Sequence, residues 1–405
     1  MPAVILKPGR EKSVLRRHPW IFSGAVEGVA QGSALRNGRA GPDDAPGATV
    51  DVVSSKGDFL ARGAYSPRSQ IRVRVWTFED ESVDREFFRK RIRAALDTRS
   101  SIFHAQDSNA VRLIYAEADG MPGLIVDRYA DHLVLQSLTA GSEYWKETIA
   151  DILLEETGSR NIYERSDADV RELEGLAPRV GILRGALPDP RITITEHGLK
   201  FHVDLERGQK TGFYLDQRVN RQRVRAMAQE KEVLDCFCYT GGFTVNAVAG
   251  AARTVLAVDA SSEALTTARQ NIELNGLPLE KVQFLQGDVF QVLRKLRDEA
   301  RTFDMIILDP PKFAPTAAQA QQAARGYKDI NLLAFKLLRA NGILFTFSCS
   351  GGVEAGLFQK IVASAALDAG AEAQIIEHLS QASDHPVLLH FPEAAYLKGL
   401  VCTKK

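Results

Sequence analysis

Aspartates stand at the carboxyl ends of four successive predicted strands in the C-terminal half of the chain. The predicted strands are Val233–Cys236 with Asp235, Thr254–Asp259 with Asp259, Val282–Gln286 with Asp288 two residues beyond it, and Asp304–Asp309 with Asp309. Ligands of open parallel sheets bind beyond the carboxyl ends of the strands. A single aspartate at such a position is a helix cap or a turn residue about as often as it is a ligand-binding residue. Four in register predict a polar ligand site along this edge.

The loop after the first of these strands is glycine-rich but has no phosphate-binding pattern. It reads Cys236-Phe237-Cys238-Tyr239-Thr240-Gly241-Gly242-Phe243, without the G-x-G-x-x-G spacing that lets a backbone approach a pyrophosphate. A nucleoside without phosphates fits better, and S-adenosylmethionine is such a ligand. We therefore predict a class I methyltransferase domain whose cofactor is held by Asp235, Phe237, Tyr239, Thr240, Gly241, Gly242, Asp259, Asp288 and Asp309.

Three of these aspartates can be matched to parts of that cofactor. Asp259, at the end of the second strand, is expected to accept hydrogen bonds from the two ribose hydroxyls. Asp288 suits the adenine amino group, and Asp235 suits the ammonium group of the methionine moiety.

The alternation of strands and helices from about residue 232 predicts the sheet that positions these residues. Apolar strands separated by amphipathic helices indicate an α/β fold with a mostly parallel, doubly wound, Rossmann-like sheet. The predicted helices are 243–249, 262–275, 289–296, 327–338 and 354–368, and the later strands are 342–347, 373–376 and 396–402.

Two smaller regions are predicted ahead of this domain. Residues 1–75 carry short strands at 3–6, 20–22, 49–53, 59–62 and 71–76, separated by glycines and prolines, which predicts a small β-barrel. Residues 76–190 mix strands with helices at about 84–99 and 143–156 and form an α/β connector, ended by prolines at 178, 188 and 190. The methyltransferase domain is predicted at 191–405.

Composition limits the partners of the protein. Lys plus Arg equals Asp plus Glu at 51 each, yet residues 1–75 hold twelve basic side chains against six acidic ones. This local excess predicts phosphate contacts with RNA, with Arg16 and Arg17 among the candidates. Four cysteines, no secretory signal and no long apolar run predict a cytoplasmic protein without a membrane span or a metal site. The oligomeric state, monomer or homodimer, is left open.

Several motifs resemble the bacterial 23S ribosomal RNA (cytosine-5) methyltransferase I family. In the predicted catalytic domain they are Asp235–Phe243, Asp309-Pro310-Pro311-Lys312-Phe313 and Phe347-Ser348-Cys349-Ser350. Ahead of it, Gly208–Arg218 resembles the segment that leads into that domain, and Arg17–Gly24 resembles the family's N-terminal PUA domain, a β-barrel associated with RNA binding. The resemblance spans the chain in order and implies S-adenosylmethionine as cofactor and 23S ribosomal RNA, or a large-subunit precursor, as partner.

Cytosine-5 methylation requires a nucleophile that adds to C6 of the base, because C5 alone is too weak to take a methyl group. Cys349 is the candidate, since it follows the predicted strand 342–347 and precedes a predicted helix whose N-terminus would lower the thiol pKa. The simpler alternative is a buried structural cysteine. We interpret Cys236 and Cys238 as packing in the cofactor loop, and Cys402 as a core residue.

The turn Asp309-Pro310-Pro311 offers only acceptors, because two prolines remove backbone donors. Acceptors suit the exocyclic amine of a flipped base, and we expect Pro310, Pro311, Lys312 and Phe313 to contact the substrate. The better-known two-cysteine RNA methyltransferases have a second cysteine after this motif, where Lys312 stands here. We therefore predict that Asp309, or a water it holds, removes the C5 proton.

Two other functions remain open. An amino-methyltransferase would use the same turn, with Phe313 as a stacking aromatic and no cysteine. A non-catalytic RNA-binding protein that retains a methyltransferase fold as a scaffold would need neither the turn nor the cysteine. The aspartates at the strand ends and the glycine loop argue against this alternative.

Overall fold

The chain forms two units in the computed structural model, and each unit draws on several stretches of sequence. The first comprises Met1–Ile194, Val203–Leu215 and Ser383–Ala394, and the second comprises Thr195–His202, Asp216–Ala382 and Ala395–Lys405. The structure describes residues 1–31, 34–36, 45–105, 107–187, 189–313 and 320–405. The three-part division at residues 75 and 190 stays a prediction, and Pro188, one of its markers, lies outside the described residues.

A seven-stranded sheet occupies the N-terminal part of the first unit. Its strands are β1 (Ala3–Leu6), β2 (Trp20–Phe22), β3 (Val26–Gln31), β4 (Ala34–Arg36), β5 (Thr49–Val53), β6 (Phe59–Tyr65) and β7 (Ile71–Thr77), with the short helix α1 (Lys12–Leu15) between the first two. They lie in the order β2-β7-β6-β5-β1-β3-β4. Alternate residues such as Val4, Val52 and Val73 fill one core, as expected for strands with one buried face.

A second sheet of five strands completes this unit. Its strands are β8 (Ala110–Tyr115), β9 (Leu124–Tyr129), β10 (His132–Ser137), β11 (Asn161–Ser166) and β12 (Arg179–Arg184), in the order β12-β11-β10-β9-β8. The helices are α2 (Arg85–Ala105), α3 (Ala140–Thr157) and α4 (Val170–Glu174). Helix α3 connects the parallel strands β10 and β11. It begins with a capping box in which Thr139 and Ser142 each bond the other's backbone N–H.

The two sheets of the first unit share apolar packing. Ala64 and Trp76, from the N-terminal strands, lie in the same cluster as Phe88 of α2 and Ile149 of α3. Trp20 also donates its indole N–H to Oε1 of Glu117 at 2.7 Å. Removal of the N-terminal strands would therefore expose the core of the rest of this unit.

Six strands of the sheet of the second unit run in one direction, and one strand, which lies between two of these six, runs antiparallel to them. In chain order the strands are β15 (Glu232–Cys236), β16 (Thr254–Asp259), β17 (Val282–Gln286), β18 (Phe303–Leu308), β19 (Leu338–Ser348), β20 (Ala373–Leu379) and β21 (Lys398–Lys404). A hairpin of β13 (Arg191–Glu196) and β14 (Leu199–Asp204) precedes them in the chain. The helices are α5 (Arg218–Met227), α6 (Gly242–Ala249), α7 (Ser262–Leu274), α8 (Val289–Asp298), α9 (Ala320–Leu337) and α10 (Ala355–Asp368).

The order of these strands reverses at β15. The sheet runs β17-β16-β15-β18-β19-β21-β20, so the chain leaves β15 first toward β16 and later returns to place β18 on its other side. Such a switch point opens a crevice at the carboxyl ends of the two flanking strands. Here those strands are β15 and β18, which carry Asp235 and lead into Asp309.

The helices of the second unit follow from their apolar spacing and caps. Helix α8 buries Val289, Val292, Leu293 and Leu296, which recur at the helical period. Asp288 caps it by accepting the backbone N–H of Gln291 at 3.0 Å. Within the described residues, no helix is both long and apolar enough to span a membrane.

Candidate active site

Asp235 lies at the switch point with an incomplete set of hydrogen bonds. Its side chain is fully buried, and Oδ2 accepts the Thr244 hydroxyl at 2.6 Å. Among the described residues, Oδ1 has no hydrogen-bond partner. Burial raises the pKa of Asp235 to about 7, with the charge of Asp259 adding to the rise and the Thr244 bond opposing it. A bound cation would satisfy both the open oxygen and the buried charge.

The glycine loop is held against Asp259. Oδ2 of Asp259 accepts the backbone N–H of Tyr239 at 2.8 Å, and Oδ1 accepts that of Ser261 at 2.9 Å. Each carboxylate oxygen keeps a lone pair for another donor. Thr240, in the same loop, is buried, and its hydroxyl has no partner among the described residues. The Asp259 carboxylate and the Thr240 hydroxyl can therefore accept hydrogen bonds from a ligand.

Gly241 allows this loop to pass close to helix α7. Its φ is 79°, in the left-handed region, and a Cβ at this position would stand 2.8 Å from Cβ of Ala268. Any larger residue would be strained and would push α6 away from α7. Gly241 is thus required by the tight turn that begins α6.

Asp309 lies beside the first strand, at the start of the proline turn. Strand β18 pairs with β15 so that Leu308 lies opposite Cys236, which brings Asp309 next to the glycine loop. Oδ1 of Asp309 accepts a hydrogen bond from the side-chain amide of Gln217 at 2.9 Å. The pKa of Asp309 is raised to about 7, mainly by burial; the charges of Asp216 and Asp235 also raise it, and the Gln217 bond opposes the rise. A carboxyl group with this pKa exchanges protons near neutrality.

The rest of the turn carries one exposed cation and one packed aromatic ring. Lys312 is exposed, whereas Phe313 is half-buried. The Phe313 ring lies 4.8 Å from that of Tyr327 and 5.9 Å from that of Phe290, measured between centroids. Pro310 is buried and Pro311 is exposed. Packing of Phe313 fixes the end of the turn, because aromatic pairs at these distances attract each other.

Cys349 follows β19 directly and is the most accessible of the four thiols. Cys236, Cys238 and Cys402 are buried, whereas Cys349 is partly exposed. Burial raises the pKa of each buried thiol, that of Cys402 to about 12. These three cysteines therefore have the environment of core residues. Helix α10 begins at Ala355, so the segment between Cys349 and the helix is longer than the sequence predicted.

The neighbours of Cys349 are fixed by hydrogen bonds. Ser348 and Ser350 are both fully buried. The hydroxyls of Ser350 and Tyr327 are 3.0 Å apart and share a hydrogen bond. Lys398, in β21, donates from Nζ to the carbonyl oxygen of Ser350 at 2.7 Å. The thiol thus lies on a backbone segment held from α9 and from β21.

The remaining predicted residues have different settings. Asp288 is the cap of α8, as the simpler interpretation of a strand-end aspartate expected, and its side chain is exposed. Arg16 and Arg17 are exposed in the first unit, where Arg17 pairs with Glu79 at 3.0 Å. Within the described part of the chain, no group of three or more His, Cys, Asp or Glu side chains could hold a metal ion.

Two family models match the chain. An S-adenosylmethionine-dependent methyltransferase model covers residues 183–398, and a PUA-like domain model covers residues 4–78. Ribosomal RNA large subunit methyltransferase I of Shewanella amazonensis is 52% identical over 397 residues, with 98% of each chain covered. The protein of the same name from Klebsiella pneumoniae is 50% identical over 402 residues, with 99% of this chain and 98% of its own covered.

The chain belongs to the ribosomal RNA large subunit methyltransferase I family. The predicted fold class, with a PUA-like part ahead of a Rossmann-like methyltransferase domain, is confirmed. Solved structures agree: a SAM-dependent methyltransferase from Streptococcus mutans is 21% identical and covers all of both chains at a TM-score of 0.83. Another solved methyltransferase, in complex with SAH, has a TM-score of 0.84 at 21% identity.

S-adenosylmethionine is the cofactor of this family, and the crevice of this chain fits it. Oδ1 of Asp235 and the hydroxyl of Thr240 are buried polar atoms that have no hydrogen-bond partner among the described residues. A ligand with hydrogen-bond donors would satisfy them. The cofactor's ammonium and ribose hydroxyls are such donors.

Sequence reasoning did not assign several polar residues of this site. Gln217 and Asn220 lie at the start of α5, where Asn220 donates to Oε1 of Gln217 at 2.6 Å. Tyr396 donates its hydroxyl to Oδ2 of Asp216 at 2.5 Å. The first pair left no clear signal, because the mostly polar helix α5 was not predicted from the sequence. Lys398 lies in the C-terminal strand β21, and Tyr396 lies just ahead of that strand.

Proposed function

We propose that this protein methylates C5 of a cytosine in 23S ribosomal RNA, as naked RNA or in a large-subunit precursor. The observation that carries this proposal is the partly exposed Cys349 thiol at the carboxyl end of β19. The adjacent strand β18 leads into Asp309 and the proline turn. The names of the relatives at 50–52% identity support a ribosomal RNA substrate.

In this proposal the crevice beside β15 holds the cofactor, which supplies a methyl group on a sulfonium. Asp235 Oδ1 binds its ammonium group, and the Asp259 carboxylate binds the ribose hydroxyls. Phe237, Tyr239, Thr240, Gly241 and Gly242 form the wall of the crevice, and Asp288 faces the adenine amino group. The unpartnered buried atoms of Asp235 and Thr240 support the assignment.

Cys349 acts as the nucleophile. Its thiolate forms a bond to C6 of cytosine, which places electron density on C5 so that C5 takes the methyl group. Asp309, or a water that it holds, then removes the C5 proton, and the electrons of that C–H bond restore the C5–C6 double bond as the C6–S bond breaks. The pKa of Asp309, raised by burial to about 7, suits a group that must accept a proton near neutrality.

The turn after Asp309 receives the target base. Pro310 and Pro311 provide carbonyl acceptors for its exocyclic amine, and exposed Lys312 is free to contact an RNA phosphate. Phe313 borders the site. An amino-methyltransferase would use these same residues without Cys349, so product analysis separates the two activities.

RNA is bound in part by Arg16 and Arg17, which are exposed in the PUA-like region. Arg17 pairs with Glu79, but both of these side chains are mostly exposed. The arginines of α2 are held more firmly, because Arg89 pairs with both Glu155 and Glu156 of α3, and Arg85 and Arg93 each pair with one of them, at 2.5–2.9 Å. A ribosomal RNA substrate and four cysteines, none of them in a disulfide, support a cytoplasmic location.

A trapping experiment tests the proposal. RNA that carries 5-fluorocytosine at the target should stall the wild-type protein as a covalent adduct, because fluorine does not leave as a proton does. Cys349→Ala should form no adduct and transfer no methyl group, while Cys402→Ala retains both. Labelled methyl groups should be recovered as 5-methylcytidine. Recovery as an N-methylated nucleoside, or full activity of Cys349→Ala, would refute the cytosine-5 mechanism.

A further inference from the structure

Lys398 is held against both neighbours of Cys349. Strand β21 pairs antiparallel with β19 so that Lys398 lies opposite Ser348. The Lys398 side chain extends toward the segment that follows β19, where its Nζ donates to the carbonyl oxygen of Ser350 at 2.7 Å. Because Cys349 is the single residue between Ser348 and Ser350, the ammonium group is fixed at the segment that carries the thiol.

We infer that the Lys398 ammonium group stabilises the thiolate form of Cys349, which makes Lys398 a positioning residue for the nucleophile. This inference rests on the proposed role of Cys349 and explains how that thiol becomes reactive. A positive charge held near a thiol in a partly buried site favours the ionised sulfur. Helix α10 is less suited to this task, because it begins only at Ala355, and the effect of a helix terminus falls off within one turn.

The electrostatic coupling between the two groups has the required sign. Burial lowers the pKa of Lys398 to about 8, the charge of Cys349 opposes that change, and the charge of Lys312 adds to it. Coupling is reciprocal, so a thiolate that favours the charged lysine is itself favoured by it. The ammonium group remains largely charged at pH 7 and loses its charge above pH 8. It therefore stabilises the Cys349 thiolate mainly near neutral pH.

Other ionisable groups of the described residues also border this segment. Tyr327 on α9 shares a hydrogen bond with the Ser350 hydroxyl; burial raises the pKa of that phenol, and the charge of Cys349 adds to the rise. Asp309 and Lys312 come from the turn after β18, and Glu354 is exposed at the cap of α10. Of these groups, Lys398 is the cation with a direct hydrogen bond to the backbone beside Cys349.

The chain contains a matched control on the same strand. Lys404 is also partly buried, and its Nζ donates to the carbonyl oxygens of Phe335 and Leu338 at 2.8 and 2.6 Å. Burial lowers its pKa as well. Loss of either lysine removes an ammonium–carbonyl contact from β21, but Lys404 lies six residues further along, away from Ser348 and Ser350.

The test is the pH profile of Cys349 alkylation by iodoacetamide in the full-length protein, with the adduct located by peptide mass. Lys398→Gln keeps a donor for the Ser350 carbonyl but removes the charge. We expect it to raise the midpoint of the profile by about one pH unit. Lys398→Arg should restore the wild-type midpoint, and Lys404→Gln should leave it unchanged. The three buried cysteines should stay unmodified in the folded protein.

The inference is wrong if Lys398→Gln has the wild-type midpoint, or if Lys404→Gln shifts it equally. Should Lys398→Gln fail to fold, Lys398→Met offers a second uncharged variant with a similar stem. The result is independent of the base that is methylated. Failure of the cytosine-5 proposal would appear in the nucleoside product, whereas failure of this inference would appear in the alkylation profile.

Discussion

The side-chain amide of Gln217 donates a hydrogen bond of 2.9 Å to Oδ1 of Asp309. Asn220 holds the other end of that amide, and Asn220 itself donates to the carbonyl oxygen of Ser380 at 3.1 Å. The start of α5 thus fixes the orientation of the carboxyl group proposed to accept the C5 proton. The bond also stabilises the ionised carboxylate.

Loss of this bond should change the pH dependence of methyl transfer. The amide lowers the pKa of Asp309 from the level set by burial, so Gln217→Ala should raise that pKa above about 7. A base with a higher pKa is more often protonated at pH 7, and activity there should fall several-fold but recover at higher pH. Measurement of kcat from pH 6 to 9 checks this, with Gln283→Ala, which removes an exposed side-chain amide from β17, as control. An unshifted acidic limb would contradict it.

Asp235 should reduce the stability of the protein without cofactor at alkaline pH. Its pKa in the folded state, about 7, exceeds the ordinary value of 3.8, so the folded state binds more protons between these values. Stability therefore falls as pH rises through this window. Asp235→Asn should raise the free energy of unfolding by roughly 1–3 kcal/mol at pH 8 and leave it little changed at pH 3.5, while weakening cofactor binding.

Asp304 provides a control of opposite sign for that measurement. It lies in β18 and accepts the backbone N–H of Glu232 and the side chains of Arg253 and Arg339. Although desolvation opposes the change, these bonds lower the pKa of its carboxyl group. Asp304→Asn should therefore destabilise the protein at pH 8. Thermal unfolding of both variants at pH 3.5 and pH 8 distinguishes these two predictions. If both substitutions changed the stability at pH 8 in the same direction and by the same amount, the ionised Asp235 carboxylate would not be destabilising.

Asp259 should be required for cofactor affinity. Asp259→Ala removes the carboxylate proposed to accept the ribose hydroxyls and also frees the backbone N–H of Tyr239. Loss of charge-assisted hydrogen bonds at about 1.5–3 kcal/mol each predicts binding that is weaker by roughly tenfold or more. Calorimetric titration with S-adenosylmethionine measures this. An unchanged Kd would show that the second strand does not bind the ribose.

Arg16 and Arg17 should contribute to RNA affinity through charge. Point substitutions are preferable to deletion of the N-terminal strands, because those strands share a core with α2 and α3. The double variant Arg16→Ala/Arg17→Ala should bind RNA more weakly, with a salt dependence shallower by about one to two units of slope. Arg93→Ala, whose guanidinium pairs with Glu156, should keep the wild-type slope. Equal slopes for all three proteins would exclude this contact.

Much of the second unit could be predicted because its strands are apolar and its helices are amphipathic. The predicted strands 254–259 and 282–286 match the observed bounds, and Asp309 lies one residue beyond the end of β18. Helix α5 was not predicted, because its residues Arg218–Met227 are mostly polar and its buried face includes Arg218, Asn220 and Arg221. Burial of Arg221 depends on a partner distant in sequence, Glu196, at 2.7 Å.

The site itself was predictable only where its residues come from strand ends. Parallel pairing of β15, β16 and β18 brings Asp235, Asp259 and Asp309 to one edge, and local sequence suffices to foresee that. Lys398 reaches Ser350 because β21 runs antiparallel beside β19. Such a long-range pairing leaves no local pattern in the sequence.

The stretch Ser383–Ala394 belongs to the first unit, although the chain on either side of it belongs to the second. Within the first unit, Asp384 accepts the backbone N–H of Arg112 at 3.0 Å, and its carbonyl accepts Arg99 at 3.2 Å. A ribosome must therefore synthesise nearly the whole polypeptide before the N-terminal unit can complete its contacts. Prematurely terminated products lack this stretch, so their N-terminal unit would lack these contacts and would be more open to proteolysis.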